Sequence, residues 1–302
     1  MDFGGVDSTT GRAFASPSEM WREEVGAGGA EDGAENADSA STKRREWYRK
    51  GIDYWGGVEA SVDGVLGGYG CVNDADVKGS EGFIKPLLIE RFGSAKRHLV
   101  ALDCGSGIGR VTKNLLIRYF NEVDLVEPVS HFLEAARESL APAIDAEGDA
   151  HKAVNFYCVP LQDFTPEAGR YDVIWVQWCI GQLPDDDFVA FFKRAKVGLK
   201  ANGFFVVKEN IARKGMNPTL FSLMFLSGFV LDRDDHSVTR SDSYFKELFN
   251  QCGLHIYSTK DQKRLPKELF PVKMYALVTD KPKGGNSDGR TRRHNYTPVI
   301  IR

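Results

Sequence analysis

The sequence predicts an α/β fold built on a doubly wound, mostly parallel sheet. Apolar, strand-like runs alternate with amphipathic segments from residue 98 to residue 252, which is the element order of parallel α/β proteins. The run at residues 171–178 is almost continuously apolar, as strands buried on both faces are. A glycine-rich turn follows the first strand, and ligands of such folds bind at the carboxyl ends of the strands.

The composition limits the classes of protein that the chain can belong to. A chain of 302 residues with 42% hydrophobic residues can bury a full core. Its net charge of −3 gives no reason to expect nucleic acid as a partner. Residues 1–42 hold nine acidic and two basic residues, and residues 281–302 hold six basic and one acidic. Because both segments are poor in periodic apolar residues, we expect a disordered acidic segment at 1–42 and a disordered basic tail at 281–302.

The five cysteines indicate a reducing compartment. They form no C-x-x-C pair, and no histidine stands at ligand spacing, so we expect free thiols and no metal site. No apolar run approaches the length of a membrane span, and no signal or transit pattern opens the chain. These features predict a soluble protein of the cytoplasm, the nucleus or both, without a membrane partner.

The ordered part is expected to be one domain over residues 43–280. Its first part, residues 43–95, is predicted to be a helical extension, with helices at Lys43–Trp55 and Ser80–Phe92. Between them, Val62–Gly70 holds too many glycines for a helix. We interpret it as a shaped loop, and loops with glycines and aromatic residues often close over a site.

Strands and helices then alternate. The predicted strands are His98–Asp103, Glu122–Glu127, Val154–Val159, Tyr171–Trp178 and Phe204–Lys208. The helices between them are Gly109–Phe120, His131–Leu140 and a segment from Asp185 to about Gly198.

The regular alternation lapses at Ile211–Leu231, an apolar segment with interrupting glycines and a proline, which precedes the acidic run Asp232–Ser237. A helix at Tyr244–Cys252 and two strands at Leu254–Ser258 and Val272–Thr279 complete the domain. We expect these last two strands to form an antiparallel edge.

Three features at the strand ends predict a nucleotide-like cofactor. The turn after the first strand reads Gly105-x-Gly107-x-Gly109, and glycines there let the backbone approach a ligand closely. Glu127 ends the second strand, where a carboxylate can accept hydrogen bonds from both ribose hydroxyls. Leu161-Gln162 follows the third strand, where an adenine edge would lie. A dinucleotide oxidoreductase uses a similar turn, with the spacing G-x-G-x-x-G, and remains an alternative at this point.

Together these features resemble the class I, Rossmann-like methyltransferases, which use S-adenosyl-L-methionine and have a seven-stranded sheet. Longer strings in the same order resemble the protein α-N-terminal methyltransferases, which modify the free amine of proteins that begin X-Pro-Lys after removal of Met. The strings are Tyr54-Trp55, Val62–Gly70, Asp103–Arg110, Leu161–Pro166, Tyr171–Trp178 and Lys208–Asn210. The resemblance covers about residues 47 to 277.

The resemblance implies roles for individual residues. S-adenosyl-L-methionine would be held by Gly105, Gly107, Arg110, Glu127, Leu161, Gln162 and Gln177. Asn210 and Asp235 would be catalytic, because they would hold the attacking amine and help to deprotonate it. Trp178 would stack on the proline, and Asp232 and Ser237 would bind the lysine. The other implied substrate contacts are Tyr54, Trp55, Leu66, Gly67, Val72, Gln182 and Phe270.

The sequence departs from the family in two places. Animal members carry a histidine at the position of Gln182, and a glutamine cannot act as a base, so proton acceptance would pass to Asp235 or to water. The segment Ile211–Leu231 also looks longer than its family counterpart. Two alternatives stay open: a methyltransferase for a small amine or an internal lysine, and a catalytically silent module that binds protein N-termini. We expect protein substrates as partners, and a monomer or a weak dimer.

Overall fold

The computed structural model describes residues 3–26, 34–93, 97–144, 151–212 and 228–280. The helices are α1 Pro17–Val25, α2 Ala34–Gly56, α3 Val62–Val65, α4 Asn73–Phe92, α5 Arg110–Asn114, α6 Ser130–Ile144, α7 Asp185–Ala195 and α8 Asp242–Gln251. The strands are β1 Gly5–Asp7, β2 Ala13–Phe14, β3 Val100–Cys104, β4 Glu122–Val126, β5 Lys152–Tyr157, β6 Tyr171–Gln177, β7 Leu199–Asn210, β8 Phe229–Asp232, β9 Ser237–Arg240, β10 His255–Asp261 and β11 Val272–Val278.

The main sheet has seven strands in the order β10-β11-β7-β6-β3-β4-β5. Strands β3 to β7 run parallel to one another, while β11 is antiparallel to both β7 and β10. This arrangement confirms the predicted doubly wound, mostly parallel sheet with an antiparallel edge. The chain changes direction of travel across the sheet between β3 and β6, and ligands of such sheets bind at the carboxyl ends of those strands.

The core lies on both faces of this sheet. In β6, Ile174 and Val176 belong to one apolar cluster, whereas Val173 and Trp175 belong to the other. The first cluster is completed by α7 and α8, and the second by α4 and α6. Burial on both faces explains why β6 is apolar at consecutive positions from Val173 to Val176 instead of alternating with polar residues.

Several predicted elements differ from those observed, among them the helices of the extension, because α2 begins at Ala34 and α4 at Asn73. The helix expected at 109–120 ends at Asn114 and continues as a 3-10 turn at Leu116–Arg118. Strand β7 begins five residues early, and the pairing register with β6 shifts near the Asn202-Gly203 turn, where Asn202 has a φ of 68°. The expected loop at 62–70 contains the short helix α3, because the Oγ of Ser61 caps the N–H of Gly64 at 3.0 Å.

The prediction that residues 1–42 are disordered is wrong for residues 3–26 and 34–42. Strand β1 pairs with β2 and with β8, so that a second sheet forms in the order β2-β1-β8-β9. Helix α1 has Ser16 as its N-cap, Pro17 at its start and Gly26 in the left-handed conformation after its end. Four apolar side chains bury themselves against the core: Phe14, Met20, Trp21 and Val25.

Two sequence-based expectations fall on segments that lie outside the described residues. The basic tail at 281–302 is one of them, and the apolar segment at 211–231 is described only at its two ends. Within the described ranges, no helix combines the length and the apolar character that crossing a bilayer would require.

Candidate active site

The turn after β3 adopts a conformation that requires glycine. Gly105 and Gly107 have φ values of 61° and 53°, a region that residues with a Cβ rarely adopt. A Cβ on Gly105 would lie 2.2 Å from the Cβ of Cys179, so this position excludes any side chain. The backbone of the turn therefore lies bare at the carboxyl end of the sheet.

Glu127, directly after β4, faces this turn. Its Oε2 accepts the N–H of Gly107 at 2.8 Å, and its Oε1 accepts the N–H of Val129 at 2.9 Å. Burial raises the pKa of Glu127 to about 7, although the two backbone N–H groups act in the opposite direction. In its ionised form the carboxylate has further lone pairs with which to accept hydrogen bonds from hydroxyl groups.

A cluster of buried polar side chains lies beside the turn, and we call it the Asp76 cluster: Asp76, Arg110, Gln177 and Lys208. The carboxylate of Asp76 binds Arg110 Nη1 at 2.7 Å and Gln177 Nε2 at 3.0 Å, and it forms an ion pair with Lys208. Burial raises the pKa of Asp76, but the two cations outweigh it, and the pKa lies below its usual range. The Asp76 cluster thus fixes the positions of Arg110 and Gln177.

The turn, Glu127 and two members of the Asp76 cluster, Arg110 and Gln177, border one cavity, which we call the first cavity. Apolar side chains such as Val129, Phe132 and Pro160 cover another part of its wall. All seven residues predicted to bind a cofactor line it: Gly105, Gly107, Arg110, Glu127, Leu161, Gln162 and Gln177.

Trp178, which follows β6, separates this cavity from another. It has a φ of 53°, which is strained for a residue with a large side chain. The carboxylate of Glu209 accepts the N–H groups of Cys179 and Ile180 at 3.0 and 3.2 Å and so holds the turn in place. Burial raises the pKa of Glu209 to about 7. The indole Nε1 of Trp178 is buried without a hydrogen-bond partner among the described residues.

The second cavity lies on the other side of Trp178. Four residues line both cavities: Trp55, Val65, Trp178 and Gln182. Residues at the end of β7 and in the hairpin formed by β8 and β9 also line the second cavity. Of the residues predicted to be catalytic or to bind substrate, it is lined by Trp55, Leu66, Gly67, Val72, Trp178, Gln182, Asn210, Asp235, Ser237 and Phe270.

Tyr54 and Asp232, which were also predicted to bind substrate, line neither cavity. The side chain of Tyr54 is 43% exposed and packs edge-on against Trp55, with ring centroids 5.3 Å apart. Asp232 ends β8, and its Oδ1 accepts the N–H of Asp234 at 2.9 Å. Both residues thus stand next to residues of the second cavity rather than in its wall.

Asp235 has the most unusual environment in the second cavity. Its Oδ1 is buried and meets no hydrogen-bond partner within the described ranges. Burial raises the pKa of Asp235 to about 6, and the nearby acids Asp232 and Asp234 also raise it, while hydrogen bonds from Ser237 lower it. A carboxylate in this state can accept a proton from a cationic group near neutral pH.

Sequence reasoning missed three residues of the site: Asp76, Glu209 and His236. Glu209 lies within Lys208–Asn210, one of the strings on which the resemblance rests, but the sequence does not show that its side chain is buried. His236 lines the first cavity and has a φ of 53°. Asp76 stands in the first turn of α4, where an acid is commonly explained by the helix dipole alone. No sequence signal separates it from Asp74.

The first cavity suits S-adenosyl-L-methionine. Arg110 offers a cation for the amino-acid carboxylate, Glu127 offers acceptors for ribose hydroxyls, and the wall at Phe132 and Pro160 suits an apolar base. A Cβ on Gly105 could not be accommodated in the turn. Within the described ranges, no group of three His, Cys, Asp or Glu side chains is arranged to hold a metal ion. The fold and this cavity define an S-adenosylmethionine-dependent methyltransferase.

Comparisons with known proteins define the class further. The family model described as AdoMet dependent proline di-methyltransferase matches residues 43–278. Alpha N-terminal protein methyltransferase 1 of Arabidopsis thaliana is 64% identical, over 99% of this chain and 100% of its own length. N-terminal Xaa-Pro-Lys N-methyltransferase 1 of Xenopus tropicalis is 36% identical, over 77% of this chain and 95% of its own length.

Among solved structures, a SAM-dependent methyltransferase of Leishmania major superposes with a TM-score of 0.73. It is 36% identical, and the alignment covers 92% of this chain and 97% of that one. The chain therefore belongs to the AdoMet-dependent proline di-methyltransferase family, whose relatives methylate protein N-termini. This result confirms the fold, the enzyme class and the cofactor that the sequence predicts.

Proposed function

We propose that this protein methylates the free α-amine of proteins that begin X-Pro-Lys after removal of Met. One observation carries the proposal: Trp178, Asn210 and Asp235, whose buried Oδ1 has no hydrogen-bond partner among the described residues, line one cavity, which shares a wall with the cofactor cavity. A methyl acceptor bound there would stand next to the methyl donor. The names of the relatives from Arabidopsis and Xenopus support this acceptor.

The seven residues that were predicted to bind the cofactor, all of which line the first cavity, would hold it. The cofactor supplies an activated methyl group on sulfur. We assign Arg110 to the carboxylate of the methionine part, because Asp76 orients its guanidinium. Glu127 would accept hydrogen bonds from the ribose, and Leu161 and Gln162 would border the adenine. Gln177 is oriented both by Asp76 and by the indole N–H of Trp175, which it accepts at 3.0 Å.

The amine must lose a proton before its nitrogen lone pair can attack. A free α-ammonium group has a pKa of about 7.7–8.0, so a carboxylate with a pKa of about 6 needs to supply only modest help. We assign proton acceptance to Asp235, directly or through water. The amide of Asn210, at the end of β7, would orient the nitrogen, and positioning supplies most of the remaining acceleration.

Specificity for the next two residues would come from the rest of the second cavity. The ring of Trp178 offers a flat face for proline, and Leu66, Val72 and Phe270 add apolar contacts. Ser237 lines the cavity, and Asp232 stands at the edge of the same hairpin. Their negative and polar groups suit a lysine at the third position.

Methylation of a Ser-Pro-Lys-Arg peptide tests the proposal. The protein is incubated with S-adenosyl-L-methionine and the peptide, either with a free N-terminus or N-acetylated, and the products are followed by mass. We expect methylation of the free peptide only. Methylation of the acetylated peptide would show that the lysine side chain is the methyl acceptor. Methylation of neither peptide would favour a silent binding module.

We also propose that the protein works in the cytoplasm, the nucleus or both, as a monomer or a weak dimer. The five cysteines are free thiols in the structure, and a reducing compartment preserves such thiols. Imaging of a fluorescent fusion tests the location, with secretion as the contrary result. Sedimentation tests the oligomeric state, and a tight dimer at nanomolar concentration would contradict the proposal.

A further inference from the structure

Residues 3–26 do not line the second cavity, but they contact the hairpin that carries Asp235. We call residues 3–26 the N-terminal strap. The family model begins at residue 43, so the strap lies outside it. Nevertheless, the strap is packed into the core cluster that also contains α7 and α8.

The strap adds a strand to the hairpin formed by β8 and β9. Strand β1 runs parallel to β8, with Gly5, Val6 and Asp7 opposite Phe229, Val230 and Leu231. The N–H of Ser8 extends this pairing by donating to the carbonyl of Leu231 at 2.9 Å. A two-stranded hairpin alone is marginally stable in water, and further strands or packing are needed to order it.

Arg233 joins the turn of this hairpin to the strap. Its Nε lies 2.5 Å from Oδ2 of Asp7, and its Nη2 lies 2.8 Å from Oε1 of Glu24. The side chain of Asp7 is fully buried, and its Oδ1 also accepts the N–H groups of Thr9 and Thr10. Arg233 is therefore fixed, although its neighbours on the hairpin, Asp232 and Asp234, are acids.

A chain of aromatic rings makes a second connection from the strap to the same hairpin. Trp21 of the strap packs edge-on against Trp47 of α2 at 5.4 Å, and Trp47 packs edge-on against His236 at 5.2 Å. The indole N–H of Trp47 also donates to the carbonyl of Gln182 at 2.8 Å. Since Gln182 lines both cavities, the strap braces the site from two directions.

We propose that the strap is a positioning element for the peptide-binding hairpin, and that the ion pair between Asp7 and Arg233 sets the position of Asp235 and Ser237. Neither Asp7 nor Arg233 lines the second cavity, so both act through the hairpin and not on the substrate. This inference rests on the proposed function for its kinetic readout. The position of the hairpin itself can be measured without any substrate.

Variants of the full-length chain test the role of the ion pair. Asp7→Asn, Arg233→Gln and the double variant are compared with the matched control Arg12→Gln, which breaks an exposed ion pair to Glu23 within the strap. We expect each single variant to lower kcat/KM for the Ser-Pro-Lys-Arg peptide about tenfold, with the cofactor Kd unchanged. The double variant should be no worse than Arg233→Gln alone, because that substitution already removes the pair with Asp7 as well as the contact with Glu24. Arg233→Lys should restore part of the loss.

Hydrogen exchange of the backbone amides at 229–240 gives the second readout. We expect faster exchange in Arg233→Gln than in the wild type or in Arg12→Gln, with or without peptide. Unchanged exchange together with unchanged kcat/KM would overturn the inference. A cofactor Kd that rises as much as kcat/KM falls would also overturn it. If the wild type leaves the peptide unmodified while exchange still rises at 229–240, the proposed function fails and the positioning role stands.

Discussion

The two cavities beside Trp178 differ in how their charged groups are satisfied. In the first cavity, Arg110 and Gln177 are bound to Asp76, and Glu127 accepts two backbone N–H groups. In the second cavity, Oδ1 of Asp235 is buried without a partner in the described part of the chain. An unpaired buried polar atom costs stability, on the order of 1–3 kcal/mol.

This difference fits the tasks that we propose for the two cavities. A site for the cofactor needs groups in fixed positions, and mutual pairing fixes them before the cofactor arrives. A site that accepts a proton needs a lone pair that the protein leaves unused. Stability is thus given up at Asp235, where the proposed chemistry requires an available acceptor, and retained around Asp76.

Asp235→Asn should show the largest effect on activity. The amide cannot accept a proton, so we expect kcat to fall by about 10²–10⁴, the usual range for removal of a general base. The cofactor Kd should be unchanged, and the free energy of unfolding should be equal or higher, because a carboxylate whose charged form is disfavoured by burial is replaced by a neutral amide. Steady-state kinetics, calorimetric titration and denaturant unfolding measure the three quantities.

The matched control for this variant is Asp234→Asn, which changes the exposed neighbour on the same turn. It should keep kcat within about twofold of the wild type, as exposed substitutions away from a site generally do. A large loss of cofactor affinity in Asp235→Asn, or an equal loss of kcat in the control, would show that Asp235 is not the general base.

Asp76→Asn should have the opposite profile, with its main effect on stability. It would remove the carboxylate that pairs with both Lys208 and Arg110, and breaking a buried ion pair typically costs about 3–5 kcal/mol. The free energy of unfolding measures this loss, and the cofactor Kd should rise because Arg110 and Gln177 lose their common partner. Asp74→Asn, two residues earlier on the exposed face of α4, is the control. If both variants unfold at the same denaturant concentration, the Asp76 cluster does not stabilise the fold.

The same contrast explains what could be predicted from the sequence. The first cavity is made of short stretches at strand ends, so the glycine turn, Glu127 and Leu161-Gln162 could be placed by local pattern. The Asp76 cluster could not, because Gln177 and Lys208 are 101 and 132 residues away from Asp76. The strap was missed for a related reason. Its few apolar residues stand in an acidic context, and Arg233 lies 226 residues after Asp7.

A change of pH should reveal the smallest of the expected effects, at Glu127. The pKa of this carboxyl is raised to about 7 by burial, and only the ionised form offers all of its lone pairs to ribose hydroxyls. Ionisation is lost as the pH falls through 7, so the cofactor Kd should rise about tenfold between pH 8 and pH 6. In Glu127→Gln the cofactor should bind more weakly at pH 8, with a Kd that no longer depends on pH. If the variant keeps the pH dependence, the titrating group is another one in the same cavity, and Asp103, whose pKa burial raises to about 6, is the candidate. The first cavity would then contain a carboxyl group that senses pH without contacting the ribose.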